Sequence, residues 1–332
     1  MIKVILDAMG GDRAPRAVIE GAAWASHELD CQMILIGNER NIKKLLAKTD
    51  YNVHKISIVN ATEVIKMDDP AAISVRRKKN SSISVGMDML KAGKADAFVS
   101  AGNTGAVVVA AALKLRTLPY VERPGIGIMI PTLKGPCMMV DVGANIDATP
   151  LHLLHYGIMG SCYCTYILGR SNPQVALLNI GQEESKGTGL IKEARKLLED
   201  TALNFIGNVE ARDVYSGKVD VVVCDGFVGN IVLKVSESLA EASREFLKRE
   251  LTKSLLPKIG AMLSLPAYRA IRKKMDYSEY GGAPLLGVDG RVIIAHGSSN
   301  AKAIKNAVRT ACEYVKHKLN QHIIEELEKI YG

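Results

Sequence analysis

Short apolar runs alternate with longer amphipathic stretches along almost the whole chain. This is the pattern of a mainly parallel twisted sheet covered by helices on both faces, an α/β fold. Ile2–Leu6, Gln32–Ile36, Ile56–Val59, Val175–Leu178, Val219–Cys224 and Val292–Ala295 read as strands, and so does the short run that begins at Ala97. Gly125–Ile130 and Cys137–Val140 read as a pair of strands joined by a Pro/Gly turn. Between them the helical period predicts a helix with Pro15 near its start, then helices over Asn38–Lys48, Ser82–Lys91 and Pro150–Leu168. Further helices end at Glu199 and near Leu251, and two more close the chain. The Pro150–Leu168 helix is apolar all round, which predicts burial, either inside the chain or at a subunit interface. Asp68-Asp69-Pro70 closes an irregular stretch, and Tyr280-Gly281-Gly282-Ala283-Pro284 reads as a glycine-rich loop. The expectation is a single α/β domain over residues 1–332, with a helical insertion at 251–275.

Composition narrows the class of partner. The chain is 48% hydrophobic, enough for a large core. Aromatic residues make up 5%, with the single Trp24, and no nucleic-acid-reading motif occurs, so the charge is not read as a nucleic-acid footprint. The net charge of +8 points instead to an acidic partner, an anionic substrate or an anionic membrane surface. Arg76-Arg77-Lys78-Lys79 is either a solvated face or a docking patch for an acidic partner. Cys31, Cys137, Cys162, Cys164, Cys224 and Cys312 form no C-x-x-C pair, which argues against a zinc site or disulfide framework and fits a reducing compartment. The N-terminus turns acidic at Asp7, too soon for a signal peptide, and the apolar run Ala106–Leu113 stops far short of the roughly 18–20 residues of a spanning helix. A cytoplasmic location with peripheral membrane contact is expected.

The chemistry gathers around Ser100-Ala101-Gly102-Asn103-Thr104-Gly105, where a strand gives way to a helix. Gly102 and Gly105 allow a sharp turn, and Ser100, Asn103 and Thr104 bring side-chain hydrogen-bonding groups to a helix start whose first N–H groups lack partners. Such a terminus either is simply capped or receives an anion, phosphate above all. Asp7, Ser100, Asp141, Asn179, Asp225 and His296 all fall where a strand ends and a loop begins. In an open parallel sheet those carboxyl ends line one crevice, which predicts a shared active site. No G-x-S-x-G elbow occurs, and Cys224 reads as a buried thiol. His152 and His155, three apart without neighbouring ligands, read as structural. Lys186, between Ser185 and Gly187, is the strongest cationic candidate, and His296 precedes Gly297-Ser298-Ser299, which can cap a helix and offer N–H groups to an anion.

Six blocks occur together and in order: Asp7-Ala8-Met9-Gly10-Gly11-Asp12, Ser100 to Gly105, Val140-Asp141-Val142-Gly143-Ala144-Asn145, Asn179 to Gly187, Asp225-Gly226-Phe227-Val228-Gly229-Asn230, and Tyr280 to Gly287. In these the chain resembles the bacterial phosphate acyltransferases of phospholipid synthesis. The resemblance implies transfer of a fatty acyl group from acyl carrier protein to inorganic phosphate, giving acyl phosphate. It also implies an isocitrate/isopropylmalate-dehydrogenase-like α/β fold, a homodimer, and no metal or organic cofactor. Inorganic phosphate is substantially dianionic near neutrality, since phosphate groups have a second pKa of roughly 6, so the nucleophile needs positioning more than a strong base. Lys186, His296 and Asp225 are the catalytic candidates, with Lys186 offsetting charge on the thioester oxygen or helping the thiolate leave. The substrate-binding candidates in the matched blocks are Asp7, Gly10, Gly11, Asp12, Ser100, Gly102, Asn103, Thr104, Gly105, Asp141, Asn145, Asn179, Gly181, Glu183, Gly229, Asn230 and Gly282.

Between Leu251 and Met275 lie Lys253, Lys258, Arg269, Arg272, Lys273 and Lys274 without a single acid, interleaved with Leu255, Leu256, Ile259, Met262, Leu263, Leu265, Tyr268 and Ile271. Pro257 and Pro266 divide the segment into short helices. Leu255, Ile259, Met262 and Leu263 are the expected membrane contacts, with an anionic headgroup layer favouring the basic residues. A dimer contact or a cover over the crevice is the competing reading. For the whole chain the alternatives are a phosphotransacetylase-like enzyme using acyl-CoA and a non-catalytic anion-binding, membrane-docking scaffold.

Overall fold

The computed structural model describes residues 1–275 and 280–332. The first part alternates regularly: β1 (Ile2–Asp7), α1 (Arg16–Glu28), β2 (Cys31–Gly37), α2 (Glu39–Leu46), β3 (Ile56–Asn60), α3 (Ala71–Arg77), α4 (Ser82–Lys91), β4 (Ala97–Ser100) and α5 (Thr104–Lys114). A hairpin follows, β5 (Gly125–Thr132) and β6 (Gly135–Val140), then α6 (Pro150–Tyr166), β7 (Val175–Leu178), α7 (Gly189–Glu199), β8 (Phe205–Val209) and β9 (Val221–Val223). Three helices come next, α8 (Gly226–Thr252), α9 (Leu255–Leu263) and α10 (Leu265–Met275). The chain ends with β10 (Ala283–Leu286), β11 (Val292–Ile294), α11 (Ala301–Lys316) and α12 (Leu319–Tyr331).

The strands form one sheet in the order β3-β2-β1-β4-β11-β10-β5-β6-β9-β7-β8. Two parallel blocks, β3-β2-β1-β4-β11 and β6-β9-β7-β8, bear out the mainly parallel reading. The centre corrects it. Three successive antiparallel pairings, β11 with β10, β10 with β5 and β5 with β6, turn the second block to run opposite to the first. Connection length accounts for two of the three: residues 133–134 join β5 to β6 and residues 287–291 join β10 to β11, too few for the crossover that parallel neighbours require, while the β10–β5 pairing joins segments more than a hundred residues apart.

Buried apolar residues lie on both faces of the sheet. One face is covered by α1, α6, α7, α11 and α12, the other by α3, α4 and α5. α6 is buried along most of its length against α7, α12, β6 and β9, so the chain itself supplies the apolar surroundings that its composition demands. α8 behaves differently: its start packs through Gly226 and Gly229, but residues 241–250 are exposed throughout. No residue of α9 is buried. Pro257 and Pro266 sit within the first turns of α9 and α10, where a missing N–H costs nothing, and the breaks fall just before them. The side chains of Arg272, Lys273 and Lys274 lie outside the described part of the structure. Among the described residues, no helix is long and apolar enough to cross a membrane.

Candidate active site

At the end of β1 the Asp7 carboxylate is 2% exposed and accepts the Ser100 hydroxyl at 2.7 Å and the Met9 N–H at 3.1 Å. The same Ser100 oxygen accepts the Gly102 N–H at 3.0 Å, so the ends of β1 and β4 are joined by side chains. Burial pushes the Asp7 carboxyl up, opposed by hydrogen bonds from the Ser82 and Ser100 hydroxyls and the Met9 and Gly10 N–H groups. The turn after β1 lies directly on the turn after β4: a Cβ on Gly10 would stand 2.6 Å from the Gly102 nitrogen. Gly11 packs on Ala101 and Gly297, and the Asp12 N–H donates to the Gly297 carbonyl at 2.9 Å. Gly282 approaches Ile294 where β10 begins.

Asn103 caps α5, its Oδ1 accepting the Ala106 N–H at 2.9 Å. Its Nδ2 donates towards the carbonyls of Lys66, Met67 and Asp69 at 3.2, 3.0 and 3.0 Å. The side chain therefore fastens the irregular 66–69 segment to the turn. Thr104 and Gly105 are exposed, and as the first two residues of the helix they present N–H groups with no intrahelical partner. Just after β11, His296 Nδ1 lies 2.8 Å from the Ser298 hydroxyl, and the Ser299 N–H donates to the His296 carbonyl at 2.9 Å. The Ser299 hydroxyl is buried without a hydrogen-bond partner among the described residues.

A second group lies at the ends of β6, β7 and β9. Asp141 is fully buried and accepts four N–H groups: those of Ile126, Gly143 and Ala144 on Oδ1, at 2.9, 3.2 and 3.0 Å, and that of Asn145 on Oδ2 at 2.7 Å. Burial raises its carboxyl, and those four donors oppose the rise. Asn145 Nδ2 reaches the Pro124 carbonyl and the Tyr156 hydroxyl at 2.6 and 2.7 Å, and its own carbonyl accepts the Gly226 N–H. Asp225 caps α8 through the Val228 N–H at 2.9 Å. Gly229 packs against the Asp141 carbonyl, and Asn230, exposed, faces Gly143.

The Asn179–Gly187 loop is built by its own polar groups. Asn179 Oδ1 accepts the Ile180 N–H at 2.9 Å, and its Nδ2 donates to the Lys186 carbonyl at 3.2 Å. Gly187 has φ +94° and lies against the Asn179 amide, a place where a Cβ would stand 2.6 Å from Oδ1. Gly181 adjoins the Glu183 carboxylate, and the Glu183 carbonyl accepts Asn208 Nδ2 at 3.2 Å. Lys186 itself is exposed, with no ion-pair partner among the described residues.

The expected residues thus sit at strand ends, but not along one edge. Asp7, Ser100 and His296 belong to the carboxyl ends of one parallel block; Asp141, Asn179 and Asp225 belong to those of the oppositely running block. The single sheet edge expected from an open parallel sheet is corrected to two, because the antiparallel centre reverses the second block. α8 links them. It starts at the Asp225 cluster, and eleven residues further on, about 16 Å along the helix, Glu237 stands 3.7 Å from His296 Nε2.

Two side chains near the first cluster escaped the sequence reading. Ser82, at the start of α4, bonds Asp7 from 75 positions away, and nothing local signals that. Arg13, next to Asp12, is an exposed cation without an ion-pair partner among the described residues; a basic residue straight after the Gly10-Gly11-Asp12 turn was the available signal. Cys224 is buried, and burial pushes its thiol well up, as its reading as an inert thiol requires.

A family model described as fatty acid synthesis protein matches residues 2–322. A phosphate acyltransferase from Geotalea uraniireducens (strain Rf4) is 49% identical over 330 residues, covering 99% of this chain and 95% of that protein. One from Thermodesulfovibrio yellowstonii is 48% identical over 329 residues, with coverages of 99% and 95%. Among solved structures, a phosphotransacetylase from Streptococcus pyogenes superposes with a TM-score of 0.65 at 19% identity, covering 95% of this chain and 94% of that one. A 4-hydroxythreonine-4-phosphate dehydrogenase from Klebsiella pneumoniae superposes with a TM-score of 0.55 at 12% identity, covering 95% and 99%. The two structural likenesses concern the fold alone.

Proposed function

Because the chain belongs to the phosphate acyltransferase family, we propose that it moves a fatty acyl group from the thioester of acyl carrier protein to inorganic phosphate, supplying acyl phosphate for phospholipid synthesis. A phosphate oxygen attacks the thioester carbonyl carbon. The new C–O bond forms, the C–S bond breaks, and the carrier leaves as a thiolate that takes a proton from solvent.

One observation carries the reading: the exposed N–H groups of Thr104 and Gly105 at the start of α5, which have no partner among the described residues. Gly11, Asp12 and Asn103 interlock the loops that hold them. Unpaired donors at a helix N-terminus favour a dianion, and no general base is needed to activate it. In this reading Ser100 and Asn103 shape the phosphate cradle rather than line it, since their polar atoms are occupied. Lys186 is the cation that stabilises the thioester oxyanion, and with no ion-pair partner among the described residues its charge is available. Asp225 and Asn230 at the start of α8, with Glu183 on the Lys186 loop, support the second cluster, to which Lys186 belongs. His296 orients the Ser298–Ser299 turn.

The protein works as a homodimer at an anionic membrane surface in this proposal. Leu255, Ile259, Met262 and Leu263 of α9 are 74%, 48%, 75% and 79% exposed, an apolar surface that suits a product partitioning into lipid. A second reading, transfer from acyl-CoA, draws support from the fold shared with a phosphotransacetylase. The test is to incubate purified protein with phosphate and either acyl carrier protein thioester or acyl-CoA, following acyl phosphate and released thiol. Phosphate-dependent thiol release from the carrier thioester is expected. Release only from acyl-CoA would transfer the assignment to the second reading, and no release from either would leave an anion-binding scaffold.

A further inference from the structure

The basic run after Pro70 has a definite place in the fold. Arg76 and Arg77 end α3, Lys78 and Lys79 follow, and the group faces α4 and α5. Lys78 is consumed internally, its ammonium 2.5 Å from Asp69 and 2.8 Å from the Val64 carbonyl. Lys114, at the end of α5, is likewise paired with Asp88 at 2.6 Å and with the Ser84 carbonyl at 2.9 Å. Arg76, Arg77 and Lys79 are exposed and have no ion-pair partner among the described residues. Among the described residues their charge is therefore uncompensated.

The same surface is partly apolar. Val75, Arg76, Lys79, Asp88, Leu113 and Lys114 line an open hollow of about 320 Å³. Leu113, in its lining, is 54% exposed, as is Ile73 on α3. A hollow with an apolar side and flanking cations accepts a helix that carries a hydrophobic side chain among acidic ones. A concave patch of this kind suits a protein side chain better than a bilayer.

α3 is also coupled to the candidate site. The carbonyls that Asn103 holds belong to the segment leading straight into α3, and Ala71 packs on Gly105 in the first turn of α5. From Ala71 to Arg77 the helix rises about 9 Å, so a flexible arm laid along α3 arrives at the Thr104 and Gly105 N–H groups.

We propose that the carrier of the acyl thioester docks through an acidic helix on the surface formed by α3, α4 and α5, with Arg76, Arg77 and Lys79 as charge partners and Leu113 as apolar anchor. This rests on the proposed use of a carrier-protein thioester, and the test separates the two. In the wild type, turnover of carrier thioester tests the substrate; if only acyl-CoA is used, the functional reading falls, and the docking site with it, before any variant is made. Given carrier turnover, Arg76→Glu/Lys79→Glu raises KM for the carrier thioester at least tenfold, with kcat and the phosphate KM unchanged. Leu113→Asp does the same by removing the anchor. The wild-type carrier KM also rises with salt, and the double variant loses that dependence. An unchanged carrier KM in both variants overturns the proposal. Accompanying loss of flotation with anionic phosphatidylglycerol vesicles would then give the surface to the membrane, and a fall in solution mass would give it to a second copy of the chain.

Discussion

Glu237 of α8 stands 3.7 Å from the Nε2 of His296, joining a helix that begins in one parallel block to the carboxyl edge of the other. Both side chains are partly exposed, so the pair itself stabilises the fold by a few tenths of a kcal/mol to about 1 kcal/mol. Its importance is geometric. It marks α8 as the element that runs about 16 Å from the Asp225 cluster to the His296 edge of the other block.

That separation makes Lys186 the residue most in need of a direct test. Lys186→Ala should lower kcat about 100-fold, equivalent to about 3 kcal/mol of oxyanion stabilisation, with thermal stability unchanged because the side chain is exposed. Lys186→Arg should restore part of the rate. Near-normal turnover by the alanine variant in an acyl phosphate assay would remove Lys186 from the chemistry and shift attention to Arg13, the exposed cation on the cradle side.

Gly10→Ala tests the cradle. The added Cβ meets backbone at Gly102 as well as the Asp7 carboxylate, and backbone cannot swing away as a side-chain tip does. The turn must shift, displacing the α5 N-terminus. A rise of tenfold or more in the phosphate KM is expected, with a smaller change in the KM for the thioester. Equal changes in both would show that the cradle does not select phosphate.

The elements a single stretch can specify were legible, and those depending on a distant partner were not. The strands at Ile2, Gln32, Ile56 and Val175 and the β5–β6 hairpin follow from apolar runs and turn residues. β10 did not, because Gly281 and Gly282, with φ +79° and +88°, disguise its entry as loop. β8 carries Gly207 at φ +88°, and a register shift opposite it at Val175–Leu177 blurs its alternation. The reversal of the second block is a pairing choice made across more than a hundred residues, which no local pattern encodes. In the site, Asn103 as a cap was readable from its position before an apolar helix. Its grip on the 66–69 carbonyls was not, because those partners lie 34 to 37 residues upstream.

Asp141 separates scaffold from chemistry. Asp141→Asn replaces one acceptor oxygen with an N–H₂ facing backbone donors, leaving buried groups unpaired at a cost of about 2–3 kcal/mol. Denaturant unfolding should show that loss, while kcat per folded molecule stays within a fewfold of wild type. A collapse of kcat without loss of stability would place Asp141 in the reaction instead.

His155 predicts an acid limit to stability. It is fully buried, its Nε2 lies 2.9 Å from the Tyr331 hydroxyl, and its Nδ1 has no partner among the described residues. Burial lowers its pKa to about 4, from the ordinary 6.5. Between those values the unfolded chain binds a proton that the folded chain refuses, so stability is full above pH 6.5 and falls towards pH 4. The loss amounts to about 3 kcal/mol. Asp7 and Asp141, raised by burial, act in the opposite sense, so the informative quantity is the difference between wild type and His155→Gln. Urea midpoints measured from pH 7 to pH 4.5 should fall more steeply for the wild type; parallel curves would mean that His155 is protonated in the fold.

α9 offers the remaining test, one independent of catalysis. Leu255, Met262 and Leu263 are all more than 70% exposed, and Lys258 lies on the same short helix. Each apolar side chain moved from water into lipid contributes roughly 1.5–3 kcal/mol, and each nearby basic residue adds about 1 kcal/mol against an anionic surface. Together these suffice for reversible binding, whereas one glutamate at the tip forfeits a leucine and adds repulsion. Leu263→Glu should therefore reduce co-flotation with anionic vesicles at least tenfold while leaving turnover of a soluble short-chain thioester intact, since α9 contributes no buried residue to the fold. Unaltered flotation would place α9 against a protein surface instead, and a change in solution mass of the same variant would identify that surface as a second copy of the chain.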